Sequence, residues 1–311
     1  MLHLFKSKPL FTENNHFEYG YTENNSQIFE VKFGRLNRQP LTGFEEAVNC
    51  ARIINENRKD QNISLCISGG VDSEAMLRAF IAAGVGFNIY ILKFKDDLND
   101  FDIRTNINLC EKLNLNTKII DLDVINFLES GEFLKYGQKY KCQSPQLAVH
   151  LWLLDQIDGL PVLAGNPFIK TSVNGNTFFI GCPGDLHCAY FRYFELNNRQ
   201  GAPWFFIYSP ELCASFLKLP TAQHLHSLSI NPNEYTYSHK CQLYVEAGFN
   251  VNPRKDKYTG FERLRDFYDQ KLGTSHGVGF DQLFRKPLEN LNPFPWQYMQ
   301  MVPAEYFTVV N

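Results

Sequence analysis

Six consecutive residues, Ser68-Gly69-Gly70-Val71-Asp72-Ser73, constrain this chain more than any other stretch. An apolar run, Ile63 to Ile67, leads into them, and an amphipathic helical pattern, Glu74 to Ala83, leads out. Strand, tight glycine turn and helix start form one unit of a parallel α/β sheet, with the turn at the carboxyl end of the strand. Gly69 and Gly70 let the backbone approach a ligand closely and adopt dihedrals closed to other residues. Successive N–H groups can then point into the loop. A helix beginning near Asp72 adds unpaired N–H groups and the positive end of its dipole. Ser68 and Ser73 can donate hydroxyl hydrogen bonds to anionic oxygens. The combination suits a phosphate group.

The flanking sequence repeats the strand–helix alternation. Phe87–Phe94, Thr117–Leu122 and Leu160–Ala164 read as further strands. Asp102–Leu113 and Gln146–Ile157 read as helices, the latter introduced by the N-cap and N1 pair Ser144-Pro145. The expected fold class is α/β, a parallel doubly wound sheet with ligand contacts beyond the carboxyl ends of its strands. Residues 1–60 form a lead-in, with a hairpin within Tyr19–Phe33 and a helix Gly43–Asn57 capped by Thr42. Residues 61–170 carry the alternating units. Residues 171–311 open with a hairpin, Lys170–Val173 and Thr177–Ile180, and continue as a mainly helical region: Glu211–Leu217, Glu234–Ala247 and Gly260–Lys271.

Composition removes several classes. The 311 residues have a formal net charge of −3, which disfavours a nucleic-acid partner gripped over a whole face. No run approaches the roughly 18 apolar residues of a membrane span. Met1 to Phe11 lacks the apolar core of a secretory signal. The eight cysteines are scattered without a C-x-x-C pair, as expected of reduced thiols in a cytoplasmic protein.

The six-residue loop lacks the Lys-Ser/Thr ending of a Walker A loop and the spacing of a dinucleotide fingerprint. It matches the S-G-G-x-D-S loop of the N-type ATP pyrophosphatases, or PP-loop enzymes, and the chain resembles that family over about 61–170. The family includes asparagine, β-lactam, GMP and NAD synthetases and several tRNA-modifying enzymes. The resemblance implies an adenine nucleotide alpha hydrolase-like sheet, with ATP and Mg²⁺ as cofactors. It implies a two-step reaction in which a substrate oxygen attacks the α-phosphate, pyrophosphate leaves, and ammonia or an amine displaces AMP.

The resemblance also implies site residues. Ser68, Gly69, Gly70, Val71, Asp72 and Ser73 would hold the phosphates, Leu92 and Phe94 would meet adenine and ribose, and Gly165 would border the nucleotide. Asp72, which a bare phosphate would repel, makes sense beside Mg²⁺. The segment Gly181–Leu186, followed by Tyr190–Phe194, is similar to the second metal-linked stretch of asparagine and β-lactam synthetases and offers Asp185, although the glutamates of that pattern are absent. A lysine for the transition state comes from Lys271, ahead of Gly273–Gly279, or from Lys257 in the basic loop Arg254–Gly260; both remain open. A glutaminase domain does not fit into the lead-in, so ammonia or an amine is expected free or from a separate donor protein. The expected function is an AMP-forming synthetase acting on a small-molecule carboxylate or amide, asparagine synthetase-like in its chemistry. A tRNA-modifying enzyme and a nucleotide-binding module without catalysis are the alternatives.

Overall fold

The computed structural model of the chain describes residues 2–4, 18–22, 30–166, 170–173, 176–181, 188–222, 237–254, 256, 258–291 and 298–307. Three short strands, β1 (Leu2–Leu4), β2 (Glu18–Thr22) and β3 (Glu30–Lys32), make an antiparallel sheet in which Tyr19 faces Val31. The helix α1 (Gly43–Asn57) follows. Thr42 caps it by accepting from the Glu45 N–H, while the Glu45 carboxylate accepts from the Thr42 N–H. Such a reciprocal capping box stabilises a helix start by roughly 1 kcal/mol.

Strand–helix alternation then runs through β4 (Ile63–Cys66), α2 (Val71–Ala83), β5 (Phe87–Phe94), α3 (Asp100–Lys112) and β6 (Thr117–Leu122). It continues through α4 (Val124–Glu129), α5 (Glu132–Tyr140), α6 (Pro145–Gln156) and β7 (Leu160–Leu163). The four strands form one parallel sheet in the order β6-β5-β4-β7. Alternate residues of β4 serve opposite faces. Ile63 and Leu65 join the core under α1 and α2, while Cys66 joins the cluster formed with α6. A strand apolar on both faces requires helices on both, so the doubly wound arrangement follows from the sequence pattern.

The chain continues with β8 (Lys170–Val173), β9 (Asn176–Gly181), α7 (Cys188–Leu196), α8 (Pro210–Leu217), α9 (Tyr237–Glu246), α10 (Phe261–Leu272) and β10 (Tyr298–Met301). The β8–β9 hairpin forms as expected, but β10 adds to its edge. That pairing joins positions more than a hundred residues apart and has no local signal. The main core draws on both the sheet and the C-terminal helices: Phe205, Phe206, Phe216, Tyr244 and Phe249 pack with α1, α2 and β4. No helix among the described residues is long and apolar enough to cross a membrane.

Core burial carries a pH dependence. Burial pushes the Cys50 and Cys66 thiols from 9.0 up to about 12. A raised folded-state value means that the neutral thiols favour the folded chain fully below pH 9, and that this contribution is lost as pH rises toward 12. The urea midpoint should therefore fall between about pH 8.5 and 10.5. Cys66→Ala should flatten that fall, and an equally steep fall in the variant would contradict the assignment.

Candidate active site

Strand β4 delivers the loop to the carboxyl edge of the sheet. There the Ser68 N–H donates to Ser73 Oγ at 3.0 Å, the Gly70 N–H donates to Ser68 Oγ at 3.2 Å, and the two serine hydroxyls lie 3.2 Å apart. Helix α2 begins at Val71, earlier than its apolar periodicity suggested, so Val71, Asp72 and Ser73 form its first turn. Gly69 is required by close approach: a Cβ there would sit 1.3 Å from the Asp102 carbonyl oxygen of α3. Neither Gly69 nor Gly70 has a positive φ, so proximity and not left-handed backbone explains the glycine at 69.

A buried polar network fixes the loop from behind. Asn106 Nδ2 donates to the Ser68 and Gly70 carbonyls at 2.5 and 3.3 Å. Arg254 Nη2 bridges Asn106 Oδ1 at 2.9 Å and Glu74 Oε2 at 2.7 Å. Glu74 is fully buried and also accepts from Arg78 and from the Asn252 backbone and side chain. A carboxylate at that depth requires such pairing.

Helix α9 closes the front. Tyr237, Lys240 and Tyr244 stand at i, i+3 and i+7, one helical face. The Val71 N–H donates to the Tyr237 hydroxyl at 2.7 Å. Tyr244 donates to Asp72 Oδ1 at 2.7 Å. Lys240 Nζ donates to Asp72 Oδ2 at 2.5 Å and to Asn166 Oδ1 at 2.6 Å. Burial pushes the Tyr237 phenol up to about 12, so it stays protonated and can donate.

A cavity of about 240 Å³ opens beside the loop. Ser68, Asp72, Ser73, Leu92, Phe94 and Gly165 all border it, so most of the expected nucleotide contacts share one space. Gly69 borders a second cavity, with Tyr237 and Arg254. At the end of β5 the Asn99 amide accepts from the Phe94 N–H at 2.7 Å and donates to the Leu92 carbonyl at 2.9 Å. At the end of β7, Gly165 has φ +64, and a Cβ there would sit 1.8 Å from the Trp204 ring. The wall nearer α6 carries His150 Nδ1, 3.1 Å from the Tyr190 hydroxyl.

No protein-family model matches this sequence, and no curated protein does. Among solved structures the chain is similar to the NH₃-dependent NAD synthetase of Campylobacter jejuni subsp. jejuni NCTC 11168, at 18% identity over 66% of this chain and 92% of that one, with a TM-score of 0.35. It is similar to NMN synthetase of Francisella tularensis at 14% identity, over 80% and 90% of the two chains, with a TM-score of 0.33. A third, the glutamine-dependent NAD⁺ synthetase of Acinetobacter baumannii, matches at 10% identity over 88% of this chain and 47% of that one, with a TM-score of 0.31.

Of the three remaining expected residues, Lys271 falls elsewhere and two lie outside the described residues. Lys271 pairs with Glu129 at 2.8 Å on the exposed side of α10 and does not border the loop cavity. The glycine turn after it serves Asp269, which accepts from Thr274 Oγ1 and from the Gly277 and Gly279 N–H groups. Lys257 and Asp185 lie outside the described residues. Among the described residues the lysine at the loop is Lys240, which is not among the expected site residues. Its signal was available in the Tyr237, Lys240, Tyr244 spacing of a segment already read as helix.

The donor set at Asp72 does not suit a resident Mg²⁺. Its two oxygens already hold an ammonium and a phenol, and among the described residues no three His, Cys, Asp or Glu converge.

Gly69→Ala forces either the loop or the start of α3 to move. It should abolish nucleotide binding measured by calorimetry while the circular dichroism of the sheet and helices persists. Binding within about threefold of wild type would show that this close approach is dispensable.

Proposed function

We propose that this chain is an AMP-forming, ATP-splitting ligase of the PP-loop type. The observation that carries the reading is the convergence of Ser68–Ser73, the N-terminus of α2 and Lys240 at the carboxyl edge of the parallel sheet, beside a cavity. In the first step a carboxylate or amide oxygen of a small acceptor attacks the α-phosphorus of MgATP. The bond to the β-phosphate oxygen breaks, and pyrophosphate leaves with that electron pair. In the second step an amine or ammonia, free or from a separate donor protein, attacks the activated carbon, expels AMP and loses a proton.

The residues answer the charge that develops. Negative charge grows on the leaving pyrophosphate, where fixed N–H groups and a held cation stabilise it more than the ground state. The hydroxyls of Ser68 and Ser73 supply neutral donors. Lys240 is proposed to supply the compact cation in place of Lys271, while Lys257, the other expected lysine, lies outside the described residues. The Tyr237 hydroxyl accepts from the Val71 N–H and keeps its own proton to donate, so it can pass the helix-end polarity on to an anion. The acceptor is proposed to be a small carboxylate or amide, as in the asparagine synthetase type of reaction.

Incubation with MgATP, ammonia and a panel of carboxylic acids should yield AMP and pyrophosphate in equal amounts. Release of ADP and orthophosphate would end this reading, and nucleotide binding without turnover on any acid would favour a binding module. Lys240→Ala should lower kcat by about 10²–10³-fold, as loss of a transition-state electrostatic partner does. Lys271→Ala should stay within about threefold of wild type, which exposed ion pairs usually permit.

A further inference from the structure

We propose that Asp72 is the seat of the Lys240 ammonium and not a ligand of a protein-held metal ion. The inference refines the function proposed above, and rests on it only for the identity of the anion that Lys240 serves. The Asp72 carboxylate is buried, with Tyr244 on Oδ1 at 2.7 Å and Lys240 on Oδ2 at 2.5 Å. The same ammonium is gripped by the Asn166 amide oxygen at 2.6 Å. A carboxylate oxygen and an amide oxygen are the hard donors that a small divalent cation would choose. Here they converge on a nitrogen instead. An ion bound to Oδ2 at magnesium distance would lie within about 5 Å of a second positive charge in a mostly buried site.

A simpler role for Asp72 exists. It sits in the first turn of α2, where any carboxylate favours the helix dipole. That role asks nothing of residues 168 and 172 positions away, yet both reach in from one face of α9. The side chain of Lys240 is only 12% exposed, and such desolvation requires a partner of opposite charge. Asp72 is therefore a positioning residue. It keeps Lys240 charged and fixed at the loop, with Asn166 from the end of β7 setting the lateral position. The metal then arrives with the nucleotide.

Mn²⁺ titration of the nucleotide-free protein, followed by electron paramagnetic resonance, tests this without turnover. Wild type should show no site tighter than about 1 mM. Lys240→Met should uncover the carboxylate and gain one Mn²⁺ site, which a second change, Asp72→Asn, should remove. Lys240→Arg, which keeps the cation, should gain none. Equilibrium binding in EDTA gives a second readout: metal-free ATP should bind wild type within about tenfold of MgATP, and Lys240→Met should lose that binding at least tenfold more than it loses MgATP. A nucleotide-free wild-type Mn²⁺ site that Asp72→Asn abolishes would overturn the proposal. So would a folded Lys240→Met that gains no site. If the Mn²⁺ pattern appears but no acid yields AMP, the reaction reading fails while the assignment of Asp72 stands.

Discussion

The burial of Glu74 is the constraint on which the loop depends. A carboxylate with no solvent exposure survives only if its oxygens meet donors, and Arg78 and Asn252 supply them to Oε1 and Arg254 to Oε2. Arg254 then reaches Asn106, and Asn106 clamps the two loop carbonyls. With the carbonyls of Ser68 and Gly70 tied back, and the Ser68, Gly70 and Val71 N–H groups held by hydroxyls, the loop backbone is fixed on both sides. Removing one member of such a network leaves an uncompensated buried charge, which costs about 3–5 kcal/mol, a large share of a typical folding free energy. The Ser68–Ser73 loop is thus a local motif held in shape by a segment some 180 residues away.

The same logic governs α9, by packing as well as charge. Tyr244 is fully buried, its ring 5.1–5.5 Å from those of Phe206, Phe216 and Phe249. Those rings belong to the core that also holds α1, α2 and β4. Apolar burial therefore sets where the Tyr244 hydroxyl ends, and that hydroxyl meets Asp72. Lys240, one turn earlier on the same face, inherits the position. A helix that docks through its aromatic residue delivers its lysine with little remaining freedom, which lowers the entropy that the ion pair must overcome.

Much of the fold was legible because its signals are local. Thr42 and Ser144 announce helix starts, the apolar runs at 63–67 and 87–94 announce strands, and the Ser68–Ser73 loop announces the edge where a ligand sits. The site was legible only where it is local too. Ser68, Ser73, Leu92, Phe94 and Gly165 meet at one cavity because parallel strands end together. Lys240 was legible only as a member of one helical face with Tyr237 and Tyr244, since nothing near it in sequence says that α9 packs on α2. Lys271 attracted attention through the glycines that follow it, yet those glycines close a turn around Asp269. A glycine-rich stretch reports that backbone N–H groups are exposed to something; whether that is a ligand or a neighbouring carboxylate is decided by tertiary contact.

The placement of cations divides the labour of the site. Lys240 and Arg254 gather at the loop, whereas the cavity wall formed by α6, Tyr190 and Trp204 carries His150, Gln146, rings and aliphatic side chains, and Asp72 and Asp102 also border the cavity. The carboxylates that border the cavity are Asp72 and Asp102, and Lys240 holds two members of that border, Asp72 and Asn166. On the proposed reading the phosphates of the nucleotide face the loop and Lys240, and its base faces Leu92, Phe94 and the α6 wall. Because Asn99 already satisfies the Phe94 N–H and the Leu92 carbonyl, a ring entering there meets a wall whose strand-end backbone groups are paired before it arrives. On that reading the base is held by shape and apolar contact, and charge acts at the phosphate end.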